Sequence, residues 1–277
     1  MIVVIAEKPS VAREIALVLG AMEKKDGYSQ GNGYQITWAL GHLVALGMPE
    51  DYGIKGFLAE SLPILPNPFL LTGRKIRKDK SYVADPGAAK QLKVIDHLFK
   101  ACESIIVATD AGREGELIFR YIYDYLKCQK PFKRLWISSL TEKAIRQGFA
   151  NLKGGSEFDG LYSAAQGRSK GDWLVGINSS QALSITAGSG VYSLGRVQTP
   201  TLAIICKRFL ENSTFKAETY CQVQLGHQKN GTDFKSLSLI NWDGKKAAED
   251  VLRMVQRIGI ATVLSADNKT ISEQPPL

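Results

Sequence analysis

The sequence predicts an α/β fold built around a mainly parallel sheet, and three observations support this prediction. Residues 2–6 (IVVIA) and 104–108 (SIIVA) are short apolar runs without alternation, which is typical of strands that are buried on both faces. A helical pattern follows each run, at 9–19 and at 114–126. Strands that alternate with helices favour βαβ units, in which the strands lie parallel.

The other elements follow from local signals. Pro9 suits the first turn of a helix and Gly20 is suited to end it. Ser139 and Glu142 have the spacing of a capping box and predict a helix that reaches about Leu152. The remaining predictions are strands at 34–40, 134–137 and 260–272, helices at 91–99, 199–211 and 245–258, a helical stretch at 161–187 interrupted by glycines, a hairpin of 219–226 with 234–242, and surface loop around short elements at 61–86.

Composition permits a nucleic-acid partner and indicates a reduced, cytoplasmic protein. The 277 residues include 35 basic and 27 acidic side chains, a net charge of +8, which is compatible with a polyanionic partner without establishing one. The four cysteines contain no C-x-x-C pair, so neither a zinc site nor a disulfide framework is indicated. The apolar run at 2–6 is too short for a signal peptide or a membrane span.

Acidic side chains follow two of the predicted parallel strands. Glu7 and Asp110 each lie just past the carboxyl end of a strand, at the sheet edge where ligands bind in open α/β folds. Glu114 follows Asp110 by four residues and can face the same crevice. Clustered carboxylates repel one another unless a cation neutralises them, and oxygen ligands without His or Cys suit Mg²⁺. Arg113 and the helix N-terminus offer positive potential to a phosphate.

A simpler interpretation of the same cluster stays open at this point. Asp110 is also suited to cap the helix, and Glu114 and Glu116 in its first turn would interact favourably with the helix dipole. The equivalent position of Glu7 on the other strand favours the metal and phosphate site.

Several motifs, in order along nearly the whole chain, resemble those of the type IA DNA topoisomerase family, and most closely its topoisomerase III branch. The segments are IAEKPS (5–10), LGHLVAL (40–46), TDAGREGE (109–116), SSLTEKAI (138–145), DWLVGIN (172–178) and SLGRVQTPTL (193–202). Of these, IAEKPS and TDAGREGE resemble the Toprim domain of that family.

The resemblance implies three domains. Residues 1–152 would form a Rossmann-like Toprim domain, and residues 153–213 the first part of a mostly helical DNA-groove domain. Residues 214–277 would form the first part of a small α+β arch domain.

The resemblance also implies roles for single residues. Glu7 and Lys8 would be catalytic at the scissile phosphate, Glu7 in proton transfer and Lys8 in charge stabilisation, and Arg196 would hold that phosphate near the nucleophile. The implied Mg²⁺ ligands are Glu7, Asp110 and Glu114, and the implied DNA contacts are Arg113, Arg168, Asp172, Gln198 and Thr199. For Arg168 and Asp172, four residues apart on a helix, a local ion pair is the alternative.

The sequence departs from the family pattern at two places. Gly112 stands where the Toprim D-x-D-x-E motif has its second aspartate, so one Mg²⁺ ion is expected rather than two. The family's nucleophile is a tyrosine in a T-Y-x-R motif, whereas here only Tyr220 follows a threonine, and Cys221 and Gln222 come next. No nucleophilic tyrosine is therefore expected in this chain, which we interpret as an N-terminal fragment.

The expected parent enzyme cleaves one DNA strand through a 5′-phosphotyrosine, passes another strand and rejoins the first. Such chemistry needs no nucleotide, and the sequence contains no G-x-x-x-x-G-K-[ST] motif. The fragment is expected to bind single-stranded DNA without cleaving it, as a monomer in the cytoplasm near the nucleoid, with no membrane association and with a RecQ-type helicase as a partner of the parent. The alternatives are a Toprim-type nuclease or primase and a non-catalytic DNA-binding module.

Overall fold

The computed structural model describes residues 1–78 and 81–264, which divide into two compact units. The first unit comprises Met1–Ile204 and the second begins at Ile205. This boundary differs from the domain edges expected after residues 152 and 213, and the three-domain division stays a prediction.

The first unit alternates strands and helices, and a further helix begins near its end. The strands are β1 (Ile2–Ala6), β2 (Glu23–Lys25), β3 (Tyr28–Gly31), β4 (Tyr34–Trp38), β5 (Val44–Leu46), β6 (Leu71–Gly73), β7 (Lys75–Lys78), β8 (Ser81–Ala84), β9 (Ser104–Ala108), β10 (Phe132–Arg134) and β11 (Lys153–Gly154). The helices are α1 (Pro9–Leu19), α2 (Pro86–Ala101), α3 (Arg113–Tyr125), α4 (Glu142–Ala150), α5 (Asp159–Ala187) and α6 (Gln198–Ser213).

The central sheet has the order β11-β10-β9-β1-β4-β3-β2. Its middle strands β10, β9, β1 and β4 are parallel, and antiparallel strands flank them on both sides. Ala6 at the end of β1 is in register with both Ala108 of β9 and Trp38 of β4. The predicted α/β class with a mainly parallel sheet is confirmed, and three strand ends lie side by side.

The central strands β1 and β9 are buried on both faces of the sheet, which explains why they lack alternation. Val3 and Ile5 of β1 belong to a core shared with α2, α3 and α5. Val4 and Ala6 belong to the opposite core, shared with α1 and α4. Successive side chains of a strand point to opposite faces, so each apolar residue enters one of the two cores.

Helix α5 is continuous over Asp159–Ala187, so the predicted interruption by glycines is wrong. A glycine inside a helix costs about 1 kcal/mol relative to alanine, and tertiary contacts offset this cost. Trp173 is buried and its Nε1 donates to the carbonyl of Gly47 at 2.8 Å. Asn178 accepts from the backbone N–H of Ile64 at 2.6 Å and donates to its carbonyl at 3.0 Å.

Two local predictions near β10 are also wrong. The strand ends at Arg134 instead of reaching residue 137. Helix α4 is capped by Thr141, whose Oγ1 accepts from the backbone N–H of Ala144 at 3.3 Å, and not by Ser139. The capping-box spacing therefore placed the N-cap of α4 two residues too early, at Ser139 instead of Thr141.

We expect Thr141→Ala to lower the free energy of unfolding by about 1 kcal/mol, because it removes a hydrogen bond to an otherwise unpaired N–H in the first turn. Ser139→Ala is the matched control, and its effect should stay within about 0.5 kcal/mol, as for ordinary surface substitutions. Urea unfolding measures both. A larger loss for Ser139→Ala than for Thr141→Ala would contradict the observed cap.

The second unit contains a hairpin and a helix. They are β12 (Gln224–Lys229), β13 (Thr232–Leu237) and α7 (Lys245–Ile258). Asn230 and Gly231 both have positive φ, 52° and 77°, as a two-residue turn of the Asn-Gly type requires. The hairpin and α7 were predicted, although both strands differ from the predicted bounds. Residues 260–264 form no strand, and residues 265–272 of the strand predicted there lie outside the described residues.

Candidate functional site

Glu7 and Asp110 lie together at the carboxyl edge of the sheet. Because β1 and β9 are adjacent, parallel and in register, the residues that follow them meet at one place. The backbone N–H of Asp110 lies 3.4 Å from Oε2 of Glu7 and donates to it. The convergence expected of these two segments is confirmed, whereas their chemical roles stay predictions.

The loop after β4 completes the same edge. The N–H of Ala39 donates to the carbonyl of Ala6 at 2.9 Å, and that of Gly41 donates to the carbonyl of Glu7 at 3.3 Å. His42, next along this loop, places Nε2 3.6 Å from Oε2 of Glu114. The contact brings Glu114, near the start of α3, against the loop that borders Glu7.

Two cationic side chains accompany these carboxylates. Lys8 places Nζ 3.7 Å from Oε1 of Glu7 and is 59% exposed, while the Glu7 side chain is only 12% exposed. Arg113 is the first residue of α3 and is exposed. An exposed cation beside a mostly buried carboxylate can attract a phosphate while the carboxylate stays in place.

The loop between β9 and α3 is held by tight backbone contacts. Thr109 donates its hydroxyl to the carbonyl of Gly115 at 2.7 Å. A Cβ at Gly115 would lie 2.1 Å from the carbonyl oxygen of Asp110, so no side chain fits there. Gly112, in contrast, has extended backbone with φ −179°, and a Cβ at this position would meet no atom within 4 Å.

Arg134 is a buried residue of the site that sequence reasoning missed. Its side chain is fully buried, and its Nη1 donates to the carbonyls of Thr109 at 2.7 Å and Val107 at 3.0 Å. Its Nη2 donates to the carbonyl of Asp110 at 2.7 Å. The only sequence signal was an arginine at the head of the apolar segment RLWI, which does not distinguish a buried arginine from a surface one.

A chain of ionic contacts extends from Arg134 along α3. Arg134 Nε lies 3.0 Å from Oε2 of the fully buried Glu116, without the geometry of a hydrogen bond. Arg120 donates to Oε1 of Glu116 at 2.8 Å and to Asp159, the first residue of α5, at 2.6 Å. Burial lowers the pKa of the Arg134 guanidinium, and the charge of Glu116 opposes this effect. For Arg120, burial also favours a lower pKa, but the hydrogen bonds to Glu116 and Asp159 raise it.

The donor chemistry at the sheet edge fits Mg²⁺. Glu7, Asp110 and Glu114 offer only carboxylate oxygens, the ligand type that this ion prefers. Within residues 1–78 and 81–264, no three His, Cys, Asp or Glu side chains are grouped closely enough to hold a metal ion. The three carboxylates therefore have the ligand chemistry that Mg²⁺ prefers, but in this structure they are not close enough together to coordinate one ion.

A second group of predicted site residues lies around α5. Arg196 pairs with both oxygens of Asp172, Nε to Oδ1 at 2.6 Å and Nη2 to Oδ2 at 3.1 Å. The alternative pair is weaker, because Arg168 Nε lies 3.9 Å from Oδ2 of Asp172. The hydrogen bond from Arg196 lowers the pKa of the Asp172 carboxyl.

The last two predicted DNA contacts lie at the start of α6. Thr199 accepts from the N–H of Gly195 at 3.0 Å, and Gln198 donates to the hydroxyl of Ser193. A cavity of about 570 Å³ is lined by Thr199 together with Arg168, Asp172 and Arg196. In the described part of the chain, no hydrogen bond or ion pair joins this second group to the residues at the sheet edge.

Comparison with known families identifies both parts of the chain. The Toprim domain family matches residues 2–140, and a family described as DNA topoisomerase matches residues 156–277. The chain is 50% identical to DNA topoisomerase 3 of Bacillus cereus over 224 residues, which is 80% of this chain and 29% of that protein. It is 43% identical to DNA topoisomerase 3 of Shouchella clausii over 251 residues, 89% of this chain and 32% of that protein.

A solved structure supports the fold. Full-length topoisomerase I from Thermotoga maritima matches 92% of this chain and 37% of its own length, with a TM-score of 0.55 and 20% identity. The chain thus spans about a third of the length of the relatives it matches. Among the described residues, no helix combines the length and apolar character needed to cross a membrane.

Proposed function

This chain belongs to the type IA DNA topoisomerase family, and from this premise we propose that it provides the metal-binding and phosphate-binding half of a topoisomerase III-like active site. The observation that carries the proposal is the contact of Asp110 N–H with Glu7 Oε2 at 3.4 Å. It joins two acidic segments separated by about a hundred residues at the sheet edge where α/β folds bind ligands.

The proposed reaction of the whole protein is transient cleavage of one DNA strand. A tyrosine attacks a phosphodiester to give a 5′-phosphotyrosine and a free 3′-hydroxyl, another strand passes, and reversal of the attack rejoins the first. None of the ten tyrosines in these 277 residues lies in a T-Y-x-R motif. We therefore assign the nucleophile to a segment beyond those present here.

The sheet-edge residues would act on the scissile phosphate. Glu7, mostly buried and hydrogen-bonded by the Asp110 N–H, would take part in proton transfer at the scissile phosphate. Lys8 and Arg113 would stabilise charge on the phosphate oxygens. Glu7, Asp110 and Glu114 would hold a Mg²⁺ ion through carboxylate oxygens that would have to come closer together than they are in this structure, and the ion would help to position the phosphate. One ion is proposed rather than two, since Gly112 supplies no carboxylate.

The second group would bind the DNA strand that enters the site. Arg168 and Arg196 offer guanidinium groups for phosphates beside a cavity of about 570 Å³, and Asp172 orients Arg196. Gln198 and Thr199 would contact the strand's backbone. The proposed partners are single-stranded DNA and, for the whole protein, a RecQ-type helicase. We also propose a monomer that works in the cytoplasm at the nucleoid.

The test is DNA binding and cleavage by the 277-residue chain. We expect salt-sensitive binding of a fluorescent single-stranded oligonucleotide, weakened about tenfold by the double substitution Arg168→Ala and Arg196→Ala, because phosphate contacts release counterions. A double substitution of exposed arginines outside the second group and α6, Arg146→Ala with Arg253→Ala, controls for net charge. Denaturing gels should reveal no covalent DNA adduct. Equal binding by all three proteins, or an adduct on this chain, would contradict the proposal.

The variant Asp172→Asn distinguishes two effects of the Asp172 carboxylate on DNA binding: it orients Arg196, and its negative charge repels DNA phosphates. We expect this variant to bind single-stranded DNA about threefold more tightly at low salt, because it removes a negative charge beside two phosphate-binding arginines. The difference should shrink at high salt. Glu142→Gln, which removes an exposed carboxylate from the ion pair with Arg146, is the control. Weaker binding by Asp172→Asn would show that orientation dominates.

A further inference from the structure

The buried Arg134 guanidinium donates hydrogen bonds to the backbone of the loop between β9 and α3 (residues 109–112, called the acidic loop below), and it forms no ion pair with the Asp110 carboxylate. Its donors lie 2.7 Å from the carbonyl oxygens of Thr109 and Asp110, the two residues that carry the chain from β9 into the loop. The arginine approaches this loop from β10, the strand next to β9. It can therefore fix the position of Asp110 while remaining outside any phosphate or metal contact.

Burying this arginine is costly, and the surrounding structure compensates for it. A guanidinium that loses its water needs hydrogen bonds and a counter-charge. The backbone carbonyls supply the hydrogen bonds, and the fully buried Glu116 supplies the charge at 3.0 Å. Apolar residues of similar size would fill the space at β10, but they would leave the carbonyls of Thr109 and Asp110 without these donors.

The same ionic chain reaches the helix that carries Arg168 and Asp172. Arg120 is 12% exposed and bridges Glu116 to Asp159 at the start of α5, and it also donates to the carbonyl of Gly155 at 3.0 Å. The Arg120 guanidinium lies over the ring of Phe132 in β10, 4.7 Å from its centroid. Charged contacts thus connect the acidic loop, α3, β10 and the start of α5.

We propose that Arg134 is a positioning residue that holds Asp110 ready for a divalent cation, and that Glu116 keeps Arg134 in place. The inference rests on the proposed function, because it concerns the same Mg²⁺ site. Groups that orient metal ligands typically change metal affinity by about 10–100-fold when they are removed. Arg134 acts on the backbone of the ligand rather than on its side chain.

The experiment measures metal affinity directly on the 277-residue chain. Mn²⁺ binding is followed by electron paramagnetic resonance, and Mg²⁺ is then added as a competitor. Arg134→Lys keeps the charge but loses the fork that reaches two carbonyls at once, and we expect it to weaken binding of both ions about tenfold. Arg146→Lys is the matched control, since it changes an exposed arginine whose ion pair is with Glu142 on the surface of α4. Equal affinities of Arg134→Lys and the unsubstituted chain would overturn the inference.

Hydrogen exchange provides a second measurement. It uses the unsubstituted chain, so it does not require the Arg134→Lys variant to fold. If Arg134 positions the loop in advance, the amides of residues 109–116 should be protected without metal, and Mg²⁺ should slow their exchange less than about threefold. Protection that appears only after Mg²⁺ is added would overturn the inference. Failure of the unsubstituted chain to bind either ion would instead contradict the metal role in the proposed function, and the inference with it.

Discussion

Glu116→Ala is expected to lower the free energy of unfolding of the first unit by about 3–5 kcal/mol, because it leaves the buried charge of Arg134 without its partner. Glu116 and Arg134 are both fully buried, so bulk water does not screen the guanidinium that loses its partner. Urea unfolding followed by tryptophan fluorescence measures the loss. A Trp242→Phe background restricts the signal to Trp38, Trp136 and Trp173, which all belong to the first unit.

The chain contains a matched control for this prediction. Glu142 and Arg146 in α4 form an ion pair with the same spacing and the same 2.8 Å distance as Glu116 and Arg120 in α3. The α4 pair is more than 60% exposed on both sides, whereas Glu116 is 0% exposed. Exposed pairs contribute about 0–1 kcal/mol, so Glu142→Ala should have a small effect. Similar losses of unfolding free energy for Glu116→Ala and Glu142→Ala would show that burial does not determine how much these ion pairs contribute to stability.

Gly115→Ala is expected to cost about 3 kcal/mol in unfolding free energy and to abolish measurable Mn²⁺ binding by the chain. The added Cβ would overlap the backbone of Asp110, with contacts of 2.1 Å to its oxygen and 2.8 Å to its nitrogen. Backbone cannot move away as a flexible side chain can, so the loop and the start of α3 must separate. Urea unfolding and the Mn²⁺ titration measure the two effects.

Gly112→Ala is the control for this second prediction. A Cβ at Gly112 meets no atom within 4 Å, and its φ of −179° is accessible to any residue. We expect a loss below about 1 kcal/mol, which reflects only the poorer capping by alanine. Equal losses at both glycines would show that the close approach of Asp110 is not what constrains position 115.

The part of the site that follows from strand order could be predicted from sequence. Uniform apolar runs before Glu7 and Asp110 identify buried parallel strands, and such strands end at one edge of a sheet. Placing the two residues together also requires the strands to be neighbours, which the apolar runs do not specify and the pairing of β1 with β9 shows. Helix α1 was also predicted from the sequence, but from local signals: Pro9 begins the helix and Gly20, in the left-handed conformation, follows its last residue.

The rest depends on contacts that local patterns do not encode. Arg168 and Asp172 have the spacing of a helical ion pair, yet the closer partner of Asp172 is Arg196, which lies 24 residues away. Arg134 and Glu116 are buried because the sheet and α3 enclose both side chains. The residues next to them in the sequence give no sign of this burial. The continuity of α5 likewise arises from its packing, in spite of its glycines.

The open space around Gly112 has a consequence for the evolution of this loop. Gly112 is the N-cap of α3 and offers no side chain to the first-turn N–H groups. Aspartate is among the best N-cap residues, so a one-nucleotide codon change from GGT or GGC to GAT or GAC would stabilise the helix by a few tenths of a kcal/mol. The same change would create a D-x-D-x-E motif without steric conflict. The two versions of the loop are therefore neighbours in sequence space. The step between them is open at the Cβ, and the repulsion between the added carboxylate and its acidic neighbours opposes the gain from capping unless a cation neutralises them.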